Sequence, residues 1–174
     1  GQVLTSGGTG VAPTFQTAAG GGITEADVWR ISSTFSYSIG FTNLTTNWER
    51  YTLNSAGKIG TGLSQSSGVF SFPSTGYYLI NHQVSFSHPT DVNDQEWHLQ
   101  ITTDNSTYNK AGTVWAGANT QYHTKSGTFL IDVTSTTNTK FKFGLYSDVA
   151  GGILSNTYAN NFETGFTCIR LGDT

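Results

Sequence analysis

The chain has 174 residues, of which 8 are basic and 11 acidic, so its formal net charge is -3. This length suits a single domain, and about two-thirds of the unfolded surface can be buried at this size. Because the sequence has neither a cluster of Lys and Arg nor a run of roughly 20 apolar residues, we expect no nucleic-acid partner and no insertion into a membrane.

The composition favours strands over helices. Charged residues make up 11% of the chain and aromatic residues 13%, and there are 21 glycines. Such a balance is typical of short strands joined by polar turns. Cys168 is the one cysteine, which excludes a disulfide within the chain, and we expect it to fill the core.

Residues 1–22 differ from the rest and have too little apolar surface to fold alone. They run Gly-Gln-Val-Leu-Thr-Ser, then a glycine-rich turn, then Ala-Pro-Thr before an aromatic residue. This order resembles a short unit common in bacteriophage tail fibres and related virion appendages, with Phe15 where that unit often carries Trp. The resemblance implies an extended stem wound with two other copies, whereas the composition fits a flexible linker equally well.

Short strands follow one another from residue 23 to the end. Alternation of apolar and polar residues predicts them at 28–31, 48–53, 70–72, 78–86, 97–101, 129–133, 141–145 and 162–171. Without a helical period, this pattern indicates two packed antiparallel sheets. Periodicity leaves a jelly roll and an immunoglobulin-like sandwich equally open.

Residues 68–86 predict two strands that meet at one tight corner. Phe70 and Phe72 share a face, and Pro73 and Gly76 then break the pleat. The long strand that follows places its apolar residues on one side at a two-residue period. His82 belongs to that apolar face, and we expect a hydrogen-bonded histidine there, in the core or near a trimer axis, rather than a ligand or a pH switch.

The Phe-x-Phe-Pro corner and the Tyr-Tyr that opens the next strand resemble the globular heads of complement component 1q and their tumour necrosis factor relatives. Further matches in the same order are Thr128–Val133, Lys140–Phe143, Gly165-Phe166 and a closing Asp173. The resemblance covers about residues 45–173. It implies an all-β antiparallel jelly-roll sandwich at residues 23–174, which forms a homotrimer, with the stem segment in place of a collagen stalk.

In this family the inner sheets of three heads pack around a threefold axis. The candidates for such an interface are apolar or aromatic residues of the head and of the stem: Tyr78, Phe129, Phe166, Val3, Leu4 and Phe15. Val11 of the stem would bury in the same way. Each of the three head aromatics fits the sandwich interior equally well.

The family topology would place the stem and the C-terminus at one end and the loops around residues 39–47, 88–95, 118–124 and 148–161 at the opposite tip. Tyr offers a large rigid contact, and Asn side chains pair well with sugar hydroxyls. The candidate ligand-binding residues in these loops are Asn119, Tyr122, His123, Asn156, Tyr158 and Asn160. Ordinary loop polarity explains the same residue types.

Dense acidic residues near the tip raise the question of a metal. Oxygen ligands suit calcium, so Asp91 and Asp94 are weak candidates for its ligands, but the order of a dedicated calcium loop is missing and we expect no metal or other cofactor. The histidines show no metal-ligand spacing, and we expect His98 to be exposed on the polar face of its strand. No Gly-x-Ser-x-Gly elbow is present, so we expect no enzyme.

These features together predict a trimeric fibre or spike head on a phage-like virion, outside the cell. Its tip would meet a host cell-surface receptor or glycan, and its N-terminus would join other virion proteins. The alternatives are a purely structural fibre cap or capsid decoration, an enzyme on surface polysaccharide, and a secreted lectin of the same fold.

Overall fold

The computed structural model describes residues 1–17, 22–88, 94–115, 122–153 and 161–174, which contain strands and no helix. The strands are β1 (Gln2–Thr5), β2 (Thr14–Thr17), β3 (Ala26–Ile31), β4 (Phe35–Tyr37), β5 (Gly40–Asn43), β6 (Trp48–Arg50), β7 (Ser64–Ser66), β8 (Val69–Ser71), β9 (Gly76–Ser87), β10 (Gln95–Thr102), β11 (Asn109–Trp115), β12 (Tyr122–Val133), β13 (Lys140–Ser147), β14 (Gly151–Ile153) and β15 (Gly165–Gly172).

Two antiparallel sheets form the head. The six-stranded sheet has the order β11-β10-β13-β8-β7, with β5 also paired to β13. The seven-stranded sheet has the order β4-β14-β9-β15-β3-β6, with β12 along the other edge of β9. The predicted all-β antiparallel jelly-roll sandwich is thereby confirmed.

Aromatic rings from both sheets fill the space between them. The Phe70 ring stacks on Phe141 with centroids 5.1 Å apart and meets Phe166 edge-on at 4.8 Å. Trp97 stacks on Phe143 at 5.1 Å. Full burial of one such side chain contributes about 2–3 kcal/mol, so this cluster is a main source of stability.

The predicted trimer contacts of Tyr78 and Phe166 are wrong, because both side chains are fully buried within one chain. Tyr78 opens the inward face of β9, where its hydroxyl contacts the side chain and carbonyl of Ser74. Phe129 is half-buried and packs against the same core. Tyr78 and Phe166 therefore fill the sandwich interior, as the alternative prediction had it.

Buried Asp27 ties a long loop to β3. Its carboxylate accepts two hydrogen bonds from Arg50, at 2.8 and 3.0 Å, and one from the indole of Trp29 at 2.9 Å. The backbone N–H of Leu63 donates to it at 2.8 Å. A buried charge is tolerated when it is paired and hydrogen-bonded in this way.

Residues 1–17 contain a separate two-stranded antiparallel sheet of β1 and β2. Its turn has Gly8 and Gly10 at positive φ. The apolar side chains that the sequence analysis assigns to a stem interface are all exposed in the single chain: Val3, Leu4, Val11 and Phe15. Their burial against other copies, and the domain boundary at residue 22, stay predictions.

Candidate binding surface at the tip

Strand pairing defines two ends of the sandwich. Ala26 at the start of β3 pairs with Ile169 near the C-terminus, so the chain enters the head and leaves it at the same end. At the other end, the last residue of β9 pairs with Tyr122, and Gln95 at the start of β10 pairs with Ser147. We call this second end the tip.

A chain of polar side chains crosses the tip between the sheets. Nε2 of His88 lies 3.3 Å from Nδ1 of His123, and Nε2 of His123 lies 2.9 Å from the amide oxygen of Gln95. The amide nitrogen of Gln95 donates to the Tyr37 hydroxyl at 2.5 Å and reaches the Ser147 hydroxyl at 3.4 Å. Strands of both sheets are thus joined at their ends.

The direction of these hydrogen bonds follows from the chemistry of the amide. A carboxamide oxygen only accepts, so Nε2 of His123 carries a proton. In a neutral ring Nδ1 is then the acceptor, and Nε2 of His88 must donate to it. With a second proton on His123, Nδ1 would instead donate to Nε2 of His88, so the protonation of the ring sets the direction of this contact.

Tyr37 ends the polar chain in an apolar setting. Its ring meets Phe86 edge-on at 6.4 Å, and burial raises the pKa of its hydroxyl. Phe86 also stacks on His123 with centroids 5.2 Å apart. Among the described residues of the tip, the strand ends are therefore joined by a hydrogen-bonded polar network that rests on the aromatic core.

The candidate tip residues of the sequence analysis have different positions. Tyr122 is 65% exposed, whereas the adjacent His123 points inward and is half-buried, because neighbouring strand residues face opposite sides. The others lie outside the described residues: Asn119, Asn156, Tyr158 and Asn160. Sequence reasoning missed His88 and Gln95 as partners of His123, although both flank the acidic loop that it singled out.

The two weak calcium candidates, Asp91 and Asp94, belong to the stretch of sequence between β9 and β10. Asp91 lies outside the described residues, and the backbone carbonyl of Asp94 accepts from the N–H of Asp148 at 3.0 Å. Oδ1 of Asp94 is buried without a hydrogen bond. Within the described ranges, no three His, Cys, Asp or Glu side chains come together, and Asp91 and Asp94 stay weak candidates beside the expectation of no metal.

His98 corrects another expectation. It does lie on the polar face of β10, but it is fully buried there rather than exposed. Its ring packs against Phe41 with centroids 5.7 Å apart, and its Nδ1 lies 3.2 Å from the Thr113 hydroxyl. Burial is the main cause that lowers the pKa of His98.

The part of the seven-stranded sheet's outward face that β9, β12 and β15 form is nearly free of charge. On β9, β12 and β15, Asp132 is the single charged residue that points outward. Leu130 pairs with Leu79, and Leu79 pairs in turn with Ile169, which gives an apolar row across three strands. A cavity of about 370 Å³ beside this row is lined mainly by amides and hydroxyls of the same strands.

In the part of the chain that the structure describes, no helix has the length and apolarity needed to cross a membrane.

Comparison with solved structures gives several similar folds. Eiger TNF from S. frugiperda matches with a TM-score of 0.63 at 12% identity, over 87% of this chain and 94% of that chain. Murine APRIL matches with a TM-score of 0.57 at 15% identity, over 84% and 99%. PRD1 vertex protein P5 matches with a TM-score of 0.53 at 17% identity, over 87% and 100%.

No protein-family model matches the chain, and no curated protein matches its sequence. The resemblance to complement heads and to a tail-fibre unit therefore stays a prediction. At identities this low, the structural matches establish the fold alone. The chain has the antiparallel jelly-roll fold of tumour necrosis factor-like proteins.

Proposed function

We propose that this chain is the non-enzymatic head of a trimeric virion spike or fibre. Its tip meets a host cell-surface receptor or glycan, and its N-terminal stem joins other virion proteins. The similar fold of a vertex protein supports a place on a virion. The resemblance of the sequence of residues 1–22 to a bacteriophage tail-fibre unit supports the same place.

One observation carries the proposal. Ala26, at the start of β3, and Ile169, near the end of β15, pair at one end of the sandwich, and the polar chain through His88, His123 and Gln95 lies at the other. A head fixed to a particle by its stem therefore presents its tip outward. The aromatic ring of Tyr122, which is 65% exposed at that tip, offers a rigid contact for a partner.

Trimer formation is supported by the outward face of the seven-stranded sheet. An interface core is depleted of charge and enriched in apolar residues. The row that includes Leu130 has this character, and Leu130 itself is 53% exposed in the single chain. Three copies packed on this face would leave the tips side by side, which multiplies weak contacts to one cell surface.

An adsorption assay tests the proposal. The purified chain should bind cells of a susceptible strain and slow adsorption of the virus that encodes it. Tyr122→Ala should reduce both effects at least tenfold and should remain trimeric by light scattering, a check that is needed because Tyr122 lies at the tip end of the same outward face as Leu130. Ile59→Ala, at an exposed position away from the tip, is the control and should behave as the wild type. Absence of binding to every strain of a panel that includes the natural host would remove the receptor role.

A second candidate function is a purely structural cap or capsid decoration. It is favoured by the way Gln95 and His123 use their described hydrogen bonds to join strand ends rather than to face solvent. This function predicts normal adsorption of a virus that carries Tyr122→Ala. It also predicts that a variant with a weakened tip network, such as Gln95→Ala, yields particles of lower thermal stability.

A further inference from the structure

A row of large side chains crosses the outward face of the six-stranded sheet near the tip. Trp115 on β11 pairs with Glu96 on β10, Glu96 pairs with Tyr146 on β13, and Tyr146 pairs with Phe41 on β5. Directly paired strand residues point to the same side. We call Trp115, Tyr146 and Phe41, with Glu96 between the first two, the aromatic row.

The spacing of this row follows from the sheet. Neighbouring strands lie about 4.8 Å apart, so the backbones of Trp115 and Tyr146 are separated by about 10 Å and Phe41 lies about 5 Å further on. Trp115 is 63% exposed and Phe41 48% exposed. Single exposed apolar residues are common on protein surfaces, but three aromatic side chains in one line are typical of a binding surface.

The next row towards the stem end makes a polar floor. It consists of Thr113, His98, Gly144 and Asn43 on the same four strands. Beside it, the amide of Gln100 donates to the side-chain oxygen of Asn43 at 2.9 Å. Hydroxyl and amide groups therefore lie directly next to the aromatic rings.

Gly144 leaves room for this arrangement. A Cβ at this position would lie 2.6 Å from the Gln100 amide nitrogen and 2.9 Å from the edge of the Phe41 ring. The ring of Phe41 is also held by His98 beneath it. At least one ring of the row is thus fixed by its neighbours, which lowers the entropic cost of binding.

The charges at the row offset one another. Oε2 of Glu96 lies 3.1 Å from Nζ of Lys110 and 3.0 Å from Nε2 of His98. The carboxylate is mostly buried, and both of these contacts use the same oxygen, Oε2. The carboxylate can accept hydrogen bonds from hydroxyl groups without presenting a net negative field.

We infer that the aromatic row is a binding platform for a neutral, extended oligosaccharide. The C–H faces of β-linked sugar rings are flat and apolar and stack on aromatic rings, while their hydroxyl groups lie at the ring edge. The row supplies rings for the faces, and Glu96, Gln100 and Asn43 supply acceptors for the edges. Ligand sites commonly combine aromatic walls with a few polar groups in this way.

Other occupants fit less well. A protein partner of ordinary size would need a continuous apolar centre, but Glu96 and the polar floor interrupt the rings. Nucleic acid would be repelled by the carboxylate, and Lys110 beside the row is already paired with it. A neutral saccharide needs neither a dry interface nor positive charge.

This platform is independent of the proposed tip function. It lies on the six-stranded sheet, whereas the proposed trimer face belongs to the seven-stranded sheet, so three packed heads would leave the aromatic row open. Saccharide binding by the row would also persist if the chain were not a virion protein. An experiment that refutes saccharide binding by the aromatic row therefore leaves the proposed receptor binding at the tip untouched, and the reverse also holds.

Titration of the full chain with chitohexaose and cellohexaose, followed by saturation-transfer NMR and by Trp fluorescence, tests the proposal. At least one of the two should bind with a Kd of about 1 mM or tighter. Trp115→Ala and Phe41→Ala should each weaken binding at least tenfold. Ile59→Ala removes an apolar side chain that is 49% exposed, close to the 48% of Phe41, on the other sheet and should leave binding unchanged.

A heparin hexasaccharide of similar length provides the charged control and should not bind. Circular dichroism and thermal melting should match the wild type for all three variants, because the substituted side chains are exposed. The proposal is overturned if neither neutral hexasaccharide binds, if Trp115→Ala binds as well as the wild type, or if heparin binds more tightly than both.

Discussion

At the scale of single residues, buried polar groups set the pH range in which this head is stable. His82 points into the core from β9, and its Nδ1 accepts a hydrogen bond from the Trp97 indole at 3.2 Å. Gly127 leaves space for the ring, since a Cβ there would lie 2.8 Å from it. Burial lowers the pKa of His82 to about 4. The prediction of a satisfied core histidine is confirmed.

The lowered pKa predicts loss of stability in mild acid. Unfolded His82 has a pKa near 6.5, so between pH 6.5 and about 4 the unfolded chain binds more protons than the folded chain. The stabilisation is complete above pH 6.5 and is lost as the pH falls towards 4, by up to about 3 kcal/mol. Urea unfolding at a series of pH values measures this slope.

His82→Gln should flatten the slope, because the glutamine cannot bind the proton. His98→Gln is the comparison variant, because the pKa of His98 is also lowered. Part of the pH dependence that remains in His82→Gln should come from His98. A slope for His82→Gln as steep as that of the wild type between pH 6.5 and 4 would show that His82 is not the group responsible.

Asp27 gives a second prediction at this scale. Asp27→Ala leaves the partly buried Arg50 guanidinium and the Leu63 N–H without their acceptor, and we expect the free energy of unfolding to fall by about 3 kcal/mol or more. Asp173, which pairs with Arg170 at the surface, is the control, and Asp173→Ala should cause no measurable change. Chemical denaturation compares the two, and equal effects would refute the special role of Asp27.

At the scale of elements, the sequence predicts long alternating strands well and short polar strands poorly. The corner at Pro73 and Gly76 and the inward face of β9 are as expected. The three-residue strand β7 and most of β11 lack an apolar alternation. Both lie at edges of the six-stranded sheet, where side chains contact less of the core. Such strands form through backbone pairing with a neighbour, which a single sequence does not reveal.

The hairpin between β7 and β8 offers a prediction for one element. Ser67 and Gly68 both have positive φ, as a two-residue type I′ turn requires. A Cβ on Gly68 would lie 2.0 Å from the carbonyl oxygen of Leu44. Gly68→Ala should therefore lower the free energy of unfolding by about 2 kcal/mol or more.

Gly57→Ala is the matched control for this turn. No atom lies within 4 Å of a Cβ at Gly57, and its φ is not in the left-handed region. We expect a neutral or slightly stabilising effect, since alanine restricts the unfolded chain. Thermal melting of both variants measures the difference, and a neutral Gly68→Ala would show that the hairpin tolerates a different turn.

At the scale of the whole molecule, the fold was predictable and the binding surfaces were only partly so. Strand order and the two ends of the sandwich follow from the family resemblance. The aromatic row was not predictable, because Trp115, Tyr146 and Phe41 are distant in sequence and meet only through strand register. The link from His88 through His123 to Gln95 likewise depends on three strand ends that share one edge.

Assembly provides the prediction for the whole molecule. If three heads pack through the outward face of the seven-stranded sheet, Leu130→Arg should convert trimer to monomer at micromolar concentration, because it places an uncompensated charge in the interface. Trp115→Arg, at an exposed position on the six-stranded sheet, should remain trimeric. Light scattering coupled to size-exclusion chromatography measures both masses, and a monomeric wild type would refute the trimer.

The thiol of Cys168 has a practical consequence for such experiments. It is the chain's one cysteine, it lies in the core, and burial raises its pKa so that the reactive thiolate scarcely forms. A cysteine introduced at an exposed position will therefore react alone with a maleimide dye in the otherwise native protein. Fluorophores or spin labels can be attached at chosen points of the surface without first replacing a natural residue.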